Sequence, residues 1–378
     1  FTSQRRSITK YIESKSKSIK KQLPKGLGLF GKNLQKGGCK KMKVIVAAAG
    51  TGGHINPGIA IANEIKKQEP NSQIIFLGTT RGLENDLVPR AGYELKHINA
   101  YGFNRSISWE NIKKIWQTFC SVGEAKKIIK EEKPDVVIGT GGYICVAAGI
   151  AAKQLKVPLV LHESNAFPGM AVKMLSKKAD CIFLGFAEAK DRLPKARKTV
   201  VTGTPTKVKK VNISQAEKQQ IRKRIGFEKD LPMVLAFGGS QGAKSINNSL
   251  IQIIEEQKNQ NYNLIWSAGA KGYEELKQRW GEKIDSYANA KVVPYIYNME
   301  ELYNAVDLVV CRSGAMTVTE IMTVGKPAIF IPFPYATENH QEYNARVLAD
   351  KKAAKVILDK DLTAEKLNTE IENLIRYP

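Results

Sequence analysis

The stretch CRSGAMTVTEIMTVGKPAIFIPFPYATENHQ, residues 311–341, indicates the kind of fold that the chain adopts. The apolar run Leu308–Cys311 has the length of a buried strand, and a segment of helical period follows it and ends at Glu320. The turn Arg312-Ser313-Gly314 joins the two, and a second apolar run, Ala328–Phe333, completes the unit. Because open parallel sheets bind ligands at the carboxyl ends of their strands, we expect a small, polar, phosphorylated ligand at this turn.

The same alternation of short apolar runs and helical segments starts at Met42 and repeats along the chain, which predicts parallel sheets covered by helices. We expect strands near residues 43–49, 74–78, 135–139, 159–162, 181–184, 199–202, 233–237, 264–267, 292–295, 308–311 and 328–331. A polar, lysine-rich linker region, residues 206–230, interrupts the alternation and holds one helical segment, 215–225. The sequence therefore predicts an α/β fold of two Rossmann-like domains, 42–205 and 231–378, whose parallel sheets face a central cleft.

Residues 1–41 are set apart from the rest by their charge. They carry 12 of the 59 Lys and Arg residues but one of the 36 acidic residues, and they show no periodic apolar pattern. We interpret them as a basic extension that is disordered or non-native, with a basic membrane-binding arm as the alternative. The net charge of +23 would suggest nucleic-acid binding, but about half of it lies in this extension and no recognition motif is present. We therefore expect no nucleic-acid partner.

Length and composition restrict the class of protein further. A chain of 378 residues exceeds the size at which one hydrophobic core usually keeps growing, which agrees with two domains. No uninterrupted apolar run reaches about 18 residues, so we expect no transmembrane helix. The five cysteines are scattered and have no paired Cys or Cys/His spacing. This pattern favours a reducing compartment and argues against a zinc site or a disulfide framework.

Three glycine-rich turns fall between a predicted strand and a predicted helix. They are Gly50-Thr51-Gly52-Gly53-His54, Gly139-Thr140-Gly141-Gly142-Tyr143 and Gly238-Gly239-Ser240-Gln241-Gly242-Ala243. Free backbone N–H groups and the positive end of the helix dipole favour an anion at such turns, so we expect at least one phosphate contact there. None has the GxGxxG or GxxxxGK[ST] spacing, and neither a nicotinamide cofactor nor ATP is the first choice of ligand.

Six motifs in order resemble the MurG family of glycosyltransferases from Met42 almost to the end of the chain. The motifs are GTGGHINPG (50–58), GTGGY (139–143), HESNAFPG (162–169), GGSQGA (238–243), CRSGAMTVTE (311–320) and NHQEYNA (339–345). That family transfers N-acetylglucosamine from UDP-N-acetylglucosamine to undecaprenyl-linked lipid I at the cytoplasmic face of the bacterial membrane. The resemblance implies the GT-B fold, in which two Rossmann-like domains flank the active site, and it implies a peripheral membrane protein.

The chain departs from the family pattern at three places. Lys207 stands where the family usually has an arginine near the phosphates, which keeps the charge but loses the bidentate fork. The stretch Tyr143–Ala147 replaces a small residue and a proline and leaves an acceptor-side contact in doubt. The chain ends at Pro378, so we expect the family's final helix to be missing.

The resemblance implies a set of substrate-binding residues. Glu320 would bind the ribose hydroxyls, Ser240 a phosphate, and Gln341 and Asn165 the sugar hydroxyls. Further contacts are implied for Thr51, Gly52, Gly53, Lys207, Ile296, Met299, Ala315, Met316, Thr317, Val318 and Thr319. The residue types alone would favour a helix-dipole partner for Glu320, a helix N-cap for Ser240, a turn residue for Asn165 and core positions for Ile296 and Met299.

His54 is the candidate general base, and Glu163 is the reserve. An ordinary histidine side chain has a pKa of about 6.5 and can accept a proton near neutral pH. The alternative role of His54 is a capping or anion-contacting one. We expect an inverting transfer by direct displacement, with Lys207 and the helix start at Ser240–Ala243 stabilising the departing diphosphate. The predicted strand ends carry no acidic pair, so we expect no obligatory metal or other cofactor, and Mg²⁺ only as an optional companion of the diphosphate.

A membrane-binding patch is expected in the first half of the chain. Its members are aromatic or apolar, share one helical face or lie near it, and have Lys113 and Lys114 beside them. They are Phe103, Trp109, Ile112, Trp116 and Phe119. Such a stripe suits an anionic lipid surface, although most stripes of this kind are core.

Three alternative functions remain open. A UDP-N-acetylglucosamine 2-epimerase would share the fold and the donor but would need further acid/base carboxylates. A glycolipid synthase of the same superfamily would use diacylglycerol in place of lipid I. A non-catalytic binding or membrane-scaffold protein would show no transfer from a labelled donor.

Overall fold

The computed structural model of the chain describes residues 41–99, 109–239 and 241–376, with the backbone alone for 109–119. These residues divide into two compact units. The first ends at Lys207 and the second begins at Val208. The basic extension predicted for 1–41 lies outside the described residues apart from Lys41.

The first unit is a seven-stranded sheet with helices packed on it. Its strands are β1 (Lys43–Ala47), β2 (Gln73–Gly78), β3 (Glu94–His97), β4 (Val136–Gly139), β5 (Leu159–Glu163), β6 (Cys181–Leu184) and β7 (Thr199–Val201). Its helices are α1 (Gly52–Gln68), α2 (Glu84–Arg90), α3 (Trp109–Glu132), α4 (Ile144–Gln154) and α5 (Met170–Leu175), with a 3₁₀ helix at Ala187–Arg192. The strand order is β3-β2-β1-β4-β5-β6-β7, and all neighbouring strands are parallel.

Both faces of this sheet are buried, and β1 shows how its sequence achieves this. Ile45 and Ala47 point into one apolar cluster, whereas Val44 and Val46 point into the other. Successive side chains of a strand alternate between faces, so a continuous apolar run is what a sheet covered on both sides requires. Full burial of each Val or Ile contributes roughly 1.5–3 kcal/mol.

The second unit is a six-stranded sheet built in the same way. Its strands are β8 (Met233–Phe237), β9 (Asn263–Ser267), β10 (Ala290–Val293), β11 (Leu308–Cys311), β12 (Ala328–Phe330) and β13 (Lys355–Val356). Its helices are α6 (Gln215–Ile225), α7 (Lys244–Glu255), α8 (Ala270–Trp280), α9 (Met299–Ala305), α10 (Ala315–Val324), α11 (His340–Ala349) and α12 (Ala364–Arg376), with 3₁₀ helices at Gly281–Asp285, Thr337–Asn339 and Asp359–Asp361. The strand order is β10-β9-β8-β11-β12-β13, again with parallel neighbours.

The predicted α/β class with two parallel sheets is confirmed, and the sequence missed two edge strands. Strand β3 is half exposed and has a single apolar residue, Leu95, and β13 has two residues. Neither offers the continuous apolar run that marks a buried strand. The helix expected within 206–230 is present as α6, where Ser214 and Glu217 form a capping box, and it belongs to the second unit.

Each sheet has one point where the strand order reverses. In the first unit it lies between β1 and β4, and in the second between β8 and β11. The helices that follow the two strands leave from opposite faces there, so the carboxyl ends of those strands border a crevice. These four strand ends carry four of the motifs found in the sequence.

Candidate active site

At the reversal point of the first unit, two glycine turns meet. The turn Gly50–His54 follows β1 and the turn Gly139–Tyr143 follows β4. The Thr140 backbone N–H donates to the Ala47 carbonyl over 3.2 Å, and the Thr140 hydroxyl donates to the His54 carbonyl over 2.7 Å. Side-chain and backbone hydrogen bonds therefore hold the two turns in one fixed arrangement.

The His54 side chain is half-buried and packs against Gly141 and Gly142 of the second turn. A Cβ atom added at Gly141 would lie 2.4 Å from His54 Cδ2 and 2.8 Å from Nε2. Gly141 also has a φ of +118°, which side chains rarely adopt. Only glycine at position 141 therefore leaves enough space for the imidazole ring. Thr51 Oγ1 lies 3.5 Å from His54 Nδ1, at the limit of hydrogen bonding.

Glu163, the reserve base, holds the loop that follows β5. Its Oε1 accepts hydrogen bonds from the Asn165 backbone (2.9 Å) and side-chain amide (3.0 Å), and its Oε2 accepts one from the Gly169 N–H (2.8 Å). The side chain is buried, and burial raises the pKa of this carboxyl although the hydrogen bonds from Asn165 and Gly169 oppose it. Glu163 and Asn165 together therefore stabilise the conformation of the loop after β5.

His162 lies beside Glu163 and is buried. Burial lowers its pKa to about 4, even though the Gly203 carbonyl opposes that shift, and so the imidazole is neutral near neutral pH. Its Nε2 lies 3.4 Å from the Gly203 carbonyl oxygen and its Nδ1 lies 3.3 Å from Ser164 Oγ. These contacts support a structural role.

At the reversal point of the second unit, backbone packs directly on backbone. The turn Gly238–Ala243 follows β8 and leads into α7. A Cβ at Gly242 would lie 2.2 Å from the Ala268 carbonyl oxygen, and Gly242 has a φ of +74°. The turn therefore rests on the loop after β9. Ser240, the predicted phosphate contact within it, lies outside the described residues.

Glu320, the predicted ribose acceptor, is a half-buried residue of α10. Its Oε2 accepts a hydrogen bond of 3.1 Å from the hydroxyl of Tyr303, a buried residue of α9. Burial raises the pKa of the Glu320 carboxyl, and the Tyr303 hydrogen bond opposes that rise. Burial and the neighbouring carboxyl raise the pKa of Tyr303, which therefore remains a donor. Sequence reasoning missed Tyr303, because a tyrosine in an amphipathic helix is indistinguishable from a core residue.

Gln341 is the second residue of α11, and it joins two parts of this site. Its Oε1 accepts the Phe333 N–H over 3.0 Å, and its backbone carbonyl accepts the Ser313 hydroxyl over 2.8 Å. The buried Asn344 side chain also donates to the Ser313 carbonyl over 3.2 Å. The motif NHQEYNA is thereby attached to the turn Arg312–Gly314.

Arg312 is the second residue that sequence reasoning did not assign. Its guanidinium forms an ion pair with Asp359, donates to Ser245 Oγ over 3.0 Å, and donates to the Ile331 and Pro332 carbonyls over 3.1 Å each. Ser245 in turn donates to Asp359 over 2.6 Å. Both terminal nitrogens of the guanidinium are thus hydrogen-bonded, and the side chain fixes the start of α7 relative to the strand ends. A basic residue after a strand is the signal, but its partners are far away in sequence.

The other predicted residues belong to the turn after β1, to the end of the first unit and to α10. Thr51 and Gly53 are exposed, Gly52 is half-buried, and Lys207 is exposed at the end of the first unit. In α10 the side chains of Met316, Thr317 and Thr319 are half-buried, whereas Ala315 and Val318 are buried.

Two further details concern α10 and the segment after β10. The Thr319 hydroxyl donates to the Ala315 carbonyl over 2.9 Å. Ile296 is buried between the exposed Tyr295 and Tyr297.

The predicted membrane patch is only partly covered. Phe103 lies outside the described residues, and of Trp109, Ile112, Trp116 and Phe119 the structure describes the backbone, within α3. In the part of the chain that is described, no helix combines the length and apolarity needed to cross a membrane. The same part holds no cluster of three His, Cys, Asp or Glu side chains that could bind a metal ion.

Comparison with known proteins gives consistent matches over both units. Residues 44–184 match the glycosyltransferase family 28 N-terminal domain, and residues 233–378 match the glycosyltransferase family 28 C-terminal domain. The crystal structure of Acinetobacter baumannii MurG superposes with a TM-score of 0.70 at 30% identity, covering 88% of this chain and 90% of that one. A putative UDP-N-acetylglucosamine 2-epimerase from Listeria monocytogenes, 16% identical with a TM-score of 0.61, shares the fold alone.

Two curated relatives carry the name UDP-N-acetylglucosamine–N-acetylmuramyl-(pentapeptide) pyrophosphoryl-undecaprenol N-acetylglucosamine transferase. The protein from Acetivibrio thermocellus is 44% identical over 336 residues, which cover 89% of this chain and 90% of the relative. The protein from Bacillus cytotoxicus is 40% identical over 334 residues, covering 88% and 90%. The chain therefore belongs to glycosyltransferase family 28 and, within it, to the MurG family of enzymes with the GT-B fold.

Proposed function

We propose that this chain is an inverting glycosyltransferase that moves N-acetylglucosamine from UDP-N-acetylglucosamine to undecaprenyl-linked lipid I, forming lipid II for peptidoglycan synthesis. The observation that carries the proposal is the location of the family's motifs at both reversal points. GTGGHINPG and GTGGY follow β1 and β4, and GGSQGA and CRSGAMTVTE follow β8 and β11. Identity of 44% over 89% of the chain with a transferase of this name supports the same substrates.

The second unit binds the donor. Glu320 accepts a hydrogen bond from Tyr303 on one carboxylate oxygen, and the other oxygen is the acceptor for the ribose hydroxyls. Gln341 uses its carbonyl oxygen for Phe333, which leaves its amide hydrogens for the hydroxyls of the transferred sugar. The start of α7 and Ser240 bind the diphosphate through the helix dipole and free N–H groups.

The first unit supplies the chemistry. His54 takes the proton from the acceptor hydroxyl, whose oxygen forms a bond to the anomeric carbon of N-acetylglucosamine. The bond from that carbon to the diphosphate oxygen breaks, and UDP leaves with the electron pair, so the configuration inverts. Lys207 and the start of α7 stabilise the charge that develops on the leaving group.

No metal ion is required by this mechanism, since helix N-terminus and lysine provide the positive charge. Mg²⁺ acts only as an optional companion of the diphosphate. Transfer assayed with EDTA should keep most of its rate. A complete loss of rate, restored by Mg²⁺, would contradict this part of the proposal.

The enzyme acts as a peripheral protein on the cytoplasmic face of the bacterial membrane, where its lipid-linked acceptor lies. The exposed Met170 and Met174 of α5 support this, because large apolar side chains on a surface suit lipid contact. The Lys173 ammonium lies 3.9 Å above the Phe167 ring beside them. Helix α5 packs on α4, and α4 packs on α3, the helix of the predicted patch. Trp116→Glu should weaken binding to anionic vesicles while the protein stays folded.

The direct test is transfer of labelled N-acetylglucosamine from its UDP donor to a lipid I analogue. The expected product carries the label in a β linkage and appears together with one UDP per transfer. Label on diacylglycerol instead would favour a glycolipid synthase. A change of sugar configuration without acceptor, seen by NMR, would favour a 2-epimerase, and no turnover of any kind would favour a binding protein.

A further inference from the structure

We propose that Glu84 is a positioning residue that holds the first glycine turn and, through it, His54 in the geometry needed for transfer. The proposal rests on the catalytic role assigned to His54 above. Glu84 has no place in that mechanism, and none of the motifs that identify the family includes it.

The Glu84 side chain bridges the ends of two neighbouring strands. Glu84 is the first residue of α2, and its side chain is completely buried. Its Oε2 accepts the Gly50 N–H over 3.0 Å, and its Oε1 accepts the Thr79 N–H over 2.8 Å and the Thr79 hydroxyl over 2.7 Å. Gly50 starts the turn after β1, and Thr79 follows the last residue of β2. One carboxylate therefore fixes the turn to the neighbouring strand.

The chain around Glu84 leaves room for this side chain. A Cβ at Gly78 would lie 2.6 Å from Glu84 Cγ, and a Cβ at Gly82 would lie 2.0 Å from Glu84 Oε2. Neither glycine has a positive φ, so the space that Glu84 occupies is what excludes a larger residue there. The segment GTTRGLE, residues 78–84, is thus built around the carboxylate.

The carboxylate is held as an anion by neutral donors. Burial by itself would raise the pKa of Glu84, but the hydrogen bonds from the Gly50 and Thr79 backbone outweigh it and lower the pKa. The three donors are two backbone N–H groups and a hydroxyl, and such bonds to a charged acceptor are stronger than bonds between neutral groups. A buried charge is costly, so its use to hold a single turn points to a need for accurate placement.

The turn that carries His54 is consequently held at both ends. Glu84 holds the N–H of Gly50, and the Thr140 hydroxyl holds the His54 carbonyl over 2.7 Å. Between these points lie Thr51 and the first two residues of α1, Gly52 and Gly53, and His54 is the third residue of that helix. Loss of the first attachment leaves the second intact, so the turn should shift rather than unfold.

The test is Glu84→Gln, which keeps the shape but turns one acceptor oxygen into a donor. We expect kcat to fall about 10- to 100-fold, because small misplacement of a catalytic group has effects of this size. The KM for UDP-N-acetylglucosamine should stay within about twofold, because donor residues belong to the second unit. The matched control is Glu132→Gln, which removes a largely buried carboxylate paired with Lys43 and Lys96 at the other end of the sheet. It should lower the Tm without lowering kcat.

A double-mutant cycle separates positioning from general destabilisation. In a His54→Ala background, Glu84→Gln should change kcat by less than about twofold, because the group that it positions is gone. An equal fold-change in both backgrounds would overturn the proposal. So would a loss of kcat in Glu84→Gln no greater than in Glu132→Gln at matched Tm.

Amide hydrogen exchange tests the inference even if His54 proves not to be catalytic. Glu84→Gln should speed up exchange at Gly50 and Thr51 and leave Gly141 unchanged, and unchanged exchange at Gly50 would overturn the proposal. A normal rate in His54→Ala would instead overturn the proposed mechanism. If Glu84→Gln does not fold, Thr79→Val serves instead, because it removes one donor to the carboxylate and should lower kcat by a smaller factor. Thr79→Ser keeps the hydroxyl, so its kcat should stay close to that of the wild type. A normal kcat in Thr79→Val would then count as a failure.

Discussion

The two reversal points hold their turns in different ways. In the first unit, the turn that carries His54 donates a backbone hydrogen bond to the Glu84 carboxylate and accepts one from the Thr140 hydroxyl. In the second unit, the Gly242 backbone rests directly on the Ala268 carbonyl, with no room for a side chain. A substitution can remove one side-chain hydrogen bond at a time, whereas a contact between two backbone segments does not depend on any side chain. The turn that carries His54 is therefore positioned by side chains, whereas the turn after β8 is positioned by contact between two backbone segments.

The largest effect on stability should come from Arg312→Ala. Removing the guanidinium leaves the Asp359 carboxylate without its charged partner in a largely buried place, and we expect a loss of about 3 kcal/mol in the free energy of unfolding. The control is Arg279→Ala, whose exposed ion pair with Glu255 should contribute at most about 1 kcal/mol. Urea unfolding of both variants measures this, and equal losses would contradict a special role for Arg312.

The next effect compares an added methyl group at each reversal point. Gly242→Ala meets a backbone carbonyl at a φ of +74° and should cost about 1–3 kcal/mol and weaken UDP binding. Gly141→Ala at +118° meets the His54 ring, which can turn away, so its main effect should be a lower kcat with UDP binding retained. Calorimetric UDP titration and single-turnover rates distinguish the two. Loss of UDP binding in Gly141→Ala would contradict the assignment of donor binding to the second unit.

Tyr303→Phe should have a smaller effect, on the donor alone. Loss of one hydrogen bond to Glu320 is worth about 1 kcal/mol, or roughly fivefold in the Kd for UDP. The Tyr303 hydroxyl lowers the pKa of Glu320, so in the variant that pKa rises further above its ordinary value. Because only the ionised carboxylate accepts from two hydroxyls, affinity should fall as the pH falls, and at a higher pH in the variant.

The matched ligand for that test is 2′,3′-dideoxy-UDP. Its Kd should be the same for the wild type and Tyr303→Phe, because the hydroxyls that Glu320 would bind are absent. A similar weakening of both ligands would mean that Tyr303 acts through packing instead.

The smallest effect concerns Cys145, which supports the turn after β4. Its Sγ lies 2.8 Å from the Gly141 carbonyl oxygen, and burial raises its pKa to about 12. The thiol therefore stays protonated, and iodoacetamide at pH 8 should label the exposed Cys120 but not Cys145 in the folded protein. Rapid labelling of Cys145 would show that the first reversal point opens more easily than the hydrogen bonds suggest.

The sequence predicted the fold class well because its strands are continuous apolar runs and its turns are marked by glycine. Those signals are local, and they sufficed for eleven strands and for the position of His54 after the first of them. Strand β3 was missed because it is half exposed, and β13 because it has two residues. The order of strands in each sheet is set by long-range packing and was not predictable from local signals.

Much of the site could not be predicted for the same reason. Glu84 lies 34 residues from Gly50, and Arg312 lies 47 residues from Asp359. The position directly after a strand is a local signal for Arg312, but no local signal distinguishes Glu84 from an ordinary surface charge. The sequence pattern predicts Tyr303 as a core residue, and its ring is indeed buried. Its functional importance comes from the hydroxyl, which donates to Glu320. Positioning partners of this kind are visible only once the chain has folded.

The division of roles between the two units is tested most directly by removing one key side chain from each. His54→Ala and Glu320→Gln are each measured for single-turnover transfer to a lipid I analogue and for UDP binding by calorimetry. His54→Ala should lose at least about 100-fold in rate with an unchanged Kd for UDP. Glu320→Gln should weaken UDP binding by about tenfold or more and lose little rate at saturating donor. Equal rates for His54→Ala and the wild type, or UDP binding unaffected by Glu320→Gln, would contradict the division between chemistry in the first unit and donor binding in the second.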